Sequence, residues 1–126
     1  MNKQDRRVEL EKLKDGIVEL RYYDRPKISS YLYWQIPINE AVDLAKWWLT
    51  DGVQIRKEDI PVLHRRCGNV LISMFTHTRI DVRGSNQHGG LRLLGYSMPR
   101  KVVECLSVWL QDGQHTPKLN TGKNPK

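Results

Sequence analysis

Two segments of the chain alternate apolar and polar residues, which is typical of strands with one buried face. Residues 17–23 place Val18, Leu20 and Tyr22 on one side and charged or polar residues on the other. Residues 70–83 continue the same alternation over a longer run. The pattern predicts a strand at 17–23 and either one bent strand or two strands at 70–83.

Each alternating segment is followed by a second β-prone stretch and then by a helical pattern. Residues 28–36 and 91–96 are predicted to return as strands. Helices are predicted from Pro37 to Gly52, with Asn39 as cap, and from Pro99 to Gly113, because apolar residues follow three-and-four spacing in both. Each unit therefore reads as strand, strand, helix.

The two units resemble one another along their length. The offset that carries Val18 onto Ile80 also carries Pro37 onto Pro99, but Trp48 and Trp109 are closer together by one position, so the spacing slips inside the helix. The pattern predicts an internally duplicated ββα unit, at about residues 16–52 and 70–113. A linker at 53–69 joins the copies within a single domain, 1–113, and a disordered basic tail follows at 114–126.

Packing of two such units predicts an α+β fold. One unit alone cannot bury both a sheet face and a helix stripe, whereas two can share a core. We expect an antiparallel sheet of four or more strands with two helices on one face. Trp48 and Trp109 are expected in that core, and residues 4–14 in a short, mostly solvated helix.

Composition narrows the class of protein. Twenty-one lysine and arginine residues against fourteen acidic ones give a formal net charge of +7, which favours an anionic partner. The chain lacks an apolar run long enough to span a membrane, and its first residues are charged, so we expect a cytoplasmic protein without membrane association. Its two cysteines are expected to be reduced.

Catalytic and cofactor motifs are weak in this sequence. The four histidines lack metal-ligand spacing, the glycines of 84–90 do not form a nucleotide cradle, and no serine lies in a nucleophile elbow. We therefore expect a non-enzymatic protein without metal or cofactor. Cys67 follows Arg65 and Arg66, which predicts a lowered thiol pKa.

The polar face of the predicted strands carries arginines and aromatic rings. Such a face suits single-stranded nucleic acid, because guanidinium groups neutralise phosphates and rings stack on bases. The alternative is an ordinary solvated face whose arginines pair with Glu19 and Asp81. The candidate nucleic-acid-binding residues are Arg21, Tyr23, Lys27, Tyr33, Arg65, Arg66, His77, Arg79, Arg83 and Arg92.

A family resemblance covers residues 16–49. The run from Gly16 to Tyr23, then Lys27, then Trp34-Gln35-Ile36-Pro37 and a helix, resembles the positive-cofactor-four, Pur and Whirly group of single-stranded DNA-binding proteins. The resemblance implies nucleic-acid binding on a sheet surface, with roles for Arg21, Tyr23 and Lys27. The first turn departs from the group, because it lacks the usual basic, glycine-containing loop.

The first hypothesis is therefore a small non-enzymatic protein that binds single-stranded DNA or RNA on a basic, aromatic sheet face. The alternative is a small phage or plasmid accessory protein that inhibits or modulates a host enzyme by protein contact. A homodimer formed through exposed sheet edges is the third. Nuclease treatment separates the first two, because it removes a bound nucleic acid and leaves a bound protein.

Overall fold

The structure is a computed structural model that describes residues 8–23, 31–60, 63–86 and 88–113. In these residues the chain forms β1 (Val8–Leu13), β2 (Ile17–Tyr22), β3 (Leu32–Pro37), α1 (Ile38–Thr50), β4 (Leu63–Cys67), β5 (Val70–Thr76), β6 (Arg79–Gly84), β7 (Tyr96–Pro99) and α2 (Arg100–Gly113). Short 3-10 turns lie at 14–16, 52–54 and 57–59.

The strands form two antiparallel sheets. Sheet A has the order β1-β2-β3, and sheet B has the order β4-β5-β6-β7. The α+β class is confirmed, but the single sheet that we expected is divided in two. Pro37 and Pro99 end β3 and β7, and the chain turns into a helix at each point. The hydroxyl of Tyr96 on β7 donates to the carbonyl of Gln35 on β3 at 3.0 Å, which joins the two sheets at these strands.

Both helices pack against both sheets. The first helix, α1, contacts β2 and β3 of sheet A and β4 and β5 of sheet B, while α2 contacts β1 and β2 as well as β6 and β7. The helices also contact each other, so one continuous core forms, and full burial of an aliphatic side chain in it contributes about 1.5–3 kcal/mol. Fully buried members from sheets and helices include Leu20, Leu44, Ile72, Ile80 and Leu106.

Strand pairing repeats between the two halves of the chain at one constant offset, the offset that carries Pro37 onto Pro99. Leu10 pairs with Leu20 as Ile72 pairs with Val82. In the same way, Val18 pairs with Ile36 as Ile80 pairs with Met98. The helices begin at equivalent positions as well, Ile38 and Arg100. The two halves thus share element order and register, and duplication of the sequence itself stays a prediction.

This constant offset changes the expected match between tryptophans. It sets Trp47, rather than Trp48, against Trp109. Trp47 is only 1% exposed, and the indole nitrogens of Trp47 and Trp109 are both buried without a hydrogen-bond partner among the described residues. Trp48 is also buried, as expected, but Leu49 is 43% exposed. No slip in spacing is therefore needed inside the helix.

Several predicted boundaries differ from the structure. The helix expected at 4–14 is wrong for residues 8–13, which form the strand β1. In this strand Val8 and Leu10 lie on the face that packs against the core. The expected linker at 53–69 contains the strand β4. This strand was not recognised in the sequence because an edge strand buries few side chains and its residues are mostly polar. Residues 70–83 form two strands, and the strand expected at 91–96 lies instead at Tyr96–Pro99. Residues 28–30 of the strand expected at 28–36, and the tail expected at 114–126, lie outside the described residues.

Neither helix, within the part of the chain that the structure describes, is long and apolar enough to cross a membrane.

Candidate nucleic-acid interface

On sheet A, the surface that faces away from the helices is dominated by carboxylates. Arg21 lies at its centre, and its guanidinium group contacts Glu9 at 3.2 Å, Glu11 at 3.2 Å and also Glu19. Burial disfavours the charged guanidinium, but hydrogen bonds to the three glutamates outweigh it and raise the pKa of Arg21. Three carboxylates therefore occupy the arginine that we expected to bind phosphate.

Aromatic rings lie beside this acidic cluster. Tyr23 and Tyr31 have ring centroids 4.9 Å apart, and Tyr31 and Tyr33 have centroids 6.2 Å apart. The hydroxyl of Tyr23 donates to Glu9 at 2.9 Å, and burial together with this bond raises the pKa of Tyr23 to about 12. Tyr33 is 58% exposed. The rings are accessible for stacking, but the neighbouring glutamates repel phosphate. Lys27 lies outside the described residues.

On sheet B, the equivalent surface keeps one of those three carboxylates. Arg83 holds the position of Arg21 in the strand register, and Asp81 holds that of Glu19. Opposite the two arginines Leu71 replaces Glu9, and two residues further along the strand Ser73 replaces Glu11. Arg83 is exposed and makes no ion pair with any residue that the structure describes. The arginine of sheet B is therefore accessible, whereas that of sheet A is neutralised.

A groove of about 370 Å³ runs over this face. Gly95 on sheet B is equivalent in register to Tyr33 on sheet A, because Tyr96 is equivalent to Trp34. The groove therefore lies where sheet A carries the ring of Tyr33. Phe75 is 53% exposed at the groove, and its ring meets the edge of the His64 ring at a centroid distance of 6.0 Å. The groove is lined by His64, Leu71, Ser73, Phe75, Asp81, Val82, Arg83, Gly95, Tyr96 and Ser97.

A serine, a histidine and an aspartate meet in the groove, but their order does not match a hydrolase triad. His64 Nδ1 lies 2.8 Å from Ser73 Oγ, as a general base would. Asp81, however, pairs with Ser73 from the opposite strand, two strand spacings or roughly 10 Å from the backbone of His64. Within the described residues no hydrogen bond joins Asp81 to His64, so the third contact of a triad is not formed.

Two further arginines extend the basic surface. Arg66 on β4 lies in the same cross-strand row as Leu71 and Arg83, and it donates to Ser85 Oγ at 3.2 Å. Arg79 on β6 donates to the carbonyl of Ser97 at 2.9 Å and to its hydroxyl at 3.2 Å. These hydrogen bonds hold the side chains without cancelling their charge. The fold thus brings three of the candidate residues, Arg66, Arg79 and Arg83, to one face of sheet B. We call these three arginines the basic row.

His77 is not on this face, contrary to our expectation. The pairing between β5 and β6 shifts register between Ser73 and Thr76, which ends the simple alternation. His77 consequently lies in the turn, with Nε2 3.2 Å from the carbonyl oxygen of Ile55. It contacts the segment that follows α1 rather than the groove.

Arg65 and Arg92 also lie elsewhere. Arg65 pairs with the buried Ile72, on the other face of β4, and lines a separate groove with Asp51 and Asp59. Arg92 forms a two-pronged ion pair with buried Glu40, with both distances 2.6 Å, and hydrogen bonding to this glutamate raises the pKa of Arg92. The expected role of Arg92 as a phosphate ligand is therefore corrected to that of a structural anchor.

Sequence reasoning missed His64, Leu71 and Gly95 as parts of the site. The sequence feature that could have identified them is a difference between the two halves: at the constant offset Leu71 stands in place of Glu9, and Gly95 in place of Tyr33. This comparison is possible only once β1 is identified as a strand. The expectation for Cys67 was wrong in sign, since burial and nearby Asp43 raise the pKa of its thiol.

The described ranges contain no group of three or more histidine, cysteine or acidic side chains that could hold a metal ion. Compared with protein-family models, curated proteins and solved structures, the chain matches none of them.

Proposed function

We propose that this protein binds single-stranded nucleic acid on the outer face of sheet B, without catalysis. The observation that carries the proposal is Arg83, an exposed arginine beside an aromatic groove, without an ion pair among the described residues, where two of the three carboxylates of the equivalent sheet A site are replaced by Leu71 and Ser73. The formal net charge of +7 supports an anionic ligand.

The basic row supplies the electrostatic part of binding. Each arginine that contacts a phosphate displaces a condensed counterion, so affinity falls as salt rises. Arg66 and Arg83 flank Leu71 in one row, and Arg79 lies further along β6, so a strand of phosphates follows the β6 direction. The acidic face of sheet A repels the same backbone and restricts binding to sheet B.

The groove supplies contacts to bases. A base stacked on the exposed ring of Phe75 contributes roughly 1–3 kcal/mol. Asp81, which lines the groove, can accept a hydrogen bond from an exocyclic amino group. Phosphates thus dominate the affinity, and the groove sets any preference among bases.

The test compares equivalent positions on the two sheets. Fluorescence anisotropy with labelled single-stranded DNA and RNA is measured between 50 and 200 mM salt, on protein freed of nucleic acid by nuclease and a high-salt wash. Arg83→Ala is expected to lower affinity several-fold and to make the salt slope shallower by about one. Leu71→Glu should have a similar effect, because it places a carboxylate opposite Arg83 as Glu9 stands opposite Arg21.

Arg21→Ala is the matched control. Its guanidinium already contacts three glutamates, so its removal should leave affinity and salt slope within about twofold of the unsubstituted protein. Equal losses for Arg21→Ala and Arg83→Ala, or a flat salt response, would contradict binding on sheet B.

The second candidate function is contact with a protein. It is favoured by three consecutive exposed side chains, Tyr31, Leu32 and Tyr33, at the start of β3. Exposed aromatic and aliphatic side chains in one run are typical of protein interfaces. This function predicts a partner retained in a pull-down after nuclease treatment, and loss of that partner in Tyr33→Ser.

A further inference from the structure

In the part of the chain that the structure describes, sheet A has three strands where sheet B has four. β1, β2 and β3 correspond in register to β5, β6 and β7. On the far side of β5 lies β4, whereas among the described residues nothing pairs with the far side of β1. Within the described ranges, the donors and acceptors on that side of the β1 backbone therefore have no strand partner.

Two features that hold β4 against β5 are replaced in the first half of the sequence. The β4–β5 turn contains Gly68, with a φ of +58°, and Asn69, whose backbone and side-chain nitrogens donate to Asp43 at 2.8 and 3.0 Å. At the offset that relates the two halves, the sequence has Arg6-Arg7 in place of Gly68-Asn69, and Cys105 in place of Asp43. Cysteine lacks the carboxylate to which Asn69 donates.

The burial of equivalent core residues also differs at this edge. Ile72 on β5 is fully buried beneath the helices and beside β4, whereas its counterpart Leu10 on β1 is only partly buried. A strand added to β1 would cover the remaining apolar surface of Leu10. Among the residues that the structure describes, this edge of β1 thus leaves both apolar surface and backbone hydrogen-bonding groups uncovered.

A second copy of the chain is a poor occupant. Antiparallel pairing of two β1 strands that keeps their core-facing side chains together sets Glu9 opposite Glu11, or Glu11 opposite itself, in its central registers. Like charges directly opposite one another in a sheet are destabilising. The edge therefore disfavours itself and favours a strand with positive charges at the same positions.

We propose that the free edge of β1 binds an extended segment of a partner protein by strand addition. The segment alternates lysine or arginine, facing Glu9 and Glu11, with apolar residues that cover Leu10. Main-chain hydrogen bonds supply affinity, and the alternating side chains supply specificity. This site lies on sheet A and does not depend on nucleic-acid binding by sheet B.

The test uses the full chain and a six-residue peptide that alternates lysine and valine. Two-dimensional NMR titration should shift the β1 amides of residues 8–13 and slow their hydrogen exchange. A peptide with glutamate in place of lysine, and one methylated at alternate backbone nitrogens, should each bind at least tenfold more weakly. Glu9→Lys/Glu11→Lys should reverse the preference between the lysine and glutamate peptides.

Three results would overturn the proposal. Equal binding of the methylated peptide would exclude strand addition. Slow exchange of every second β1 amide before peptide is added, with contacts to residues 1–7 or 114–126, would show that the chain covers its own edge. A concentration-dependent dimer with contacts between β1 strands would show that a second copy does.

Discussion

The ion pair between Arg92 and Glu40 predicts an unequal response to loss of either partner. The Glu40 side chain is 4% exposed and that of Arg92 is 31% exposed. Arg92→Met leaves a buried carboxylate without its partner, whereas Glu40→Gln leaves an arginine that can turn to water. The first substitution should therefore cost more stability.

The size of the stability loss depends on how strongly the unpaired carboxylate is buried. Removal of one partner from a buried pair costs about 3–5 kcal/mol, and partial exposure of Arg92 places this pair near the lower end. We therefore expect Arg92→Met to lose about 3 kcal/mol of unfolding free energy at pH 7.

Urea denaturation at pH 7 measures these free energies of unfolding. Glu40→Gln should lose about 1–2 kcal/mol at pH 7, since it forfeits charge-assisted hydrogen bonds without burying a charge. Arg83→Met, an exposed arginine without an ion pair among the described residues, is the control and should change stability by less than about 0.5 kcal/mol. An Arg92→Met loss no larger than the Glu40→Gln loss would refute the reasoning, because only the first substitution leaves a buried charge without its partner.

Three further predictions concern single side chains. Gly68→Ala should lower the free energy of unfolding by about 2 kcal/mol, because its φ is +58° and a Cβ would collide with the Asp43 carboxylate; Gly89→Ala, at φ +86° with open space around it, should lose less. In a spectrophotometric titration, one of the five tyrosines should ionise near pH 12, and this ionisation step should be absent in Tyr23→Phe. Because folding raises that pKa, the stability from Tyr23 is present below about pH 10 and is lost as pH rises through about 12; a constant stability across this range would contradict it. Cys67 should react with a thiol reagent at pH 7.5 more slowly than free cysteine, since burial raises its pKa, and a faster reaction would contradict its observed surroundings.

Local pattern predicted the elements whose apolar residues face the core. The alternation of β2 and the stripe of α1 were visible because Val18, Leu20 and Leu44 recur at the period of their element. β4 was not visible, because an exposed edge strand such as His64-Arg65-Arg66 has little apolar content to repeat. Val8, Leu10 and Leu13 allow either period, and only the pairing with β2 makes that segment a strand.

The candidate site depended on partners that are remote in the sequence. Arg21 and Arg83 look alike in their own strands, and the difference between them lies on the neighbouring strand, in Glu9 and Leu71. Arg92 likewise pairs with a glutamate 52 residues away. Strand periodicity predicts which way a side chain points but not which charge stands next to it. The outward direction of Arg21 and Arg83 was therefore predictable, and the accessibility of each was not.

The packing of each helix on both sheets has a consequence for how the chain reaches its native state. During synthesis, sheet A emerges before α2, which packs on β1 and β2, and α1 emerges before its partners β4 and β5. Neither half can acquire its full core from local contacts, so we infer a single cooperative transition rather than stepwise growth. Two separately expressed halves would then be expected to fold only after mixing, by complementation.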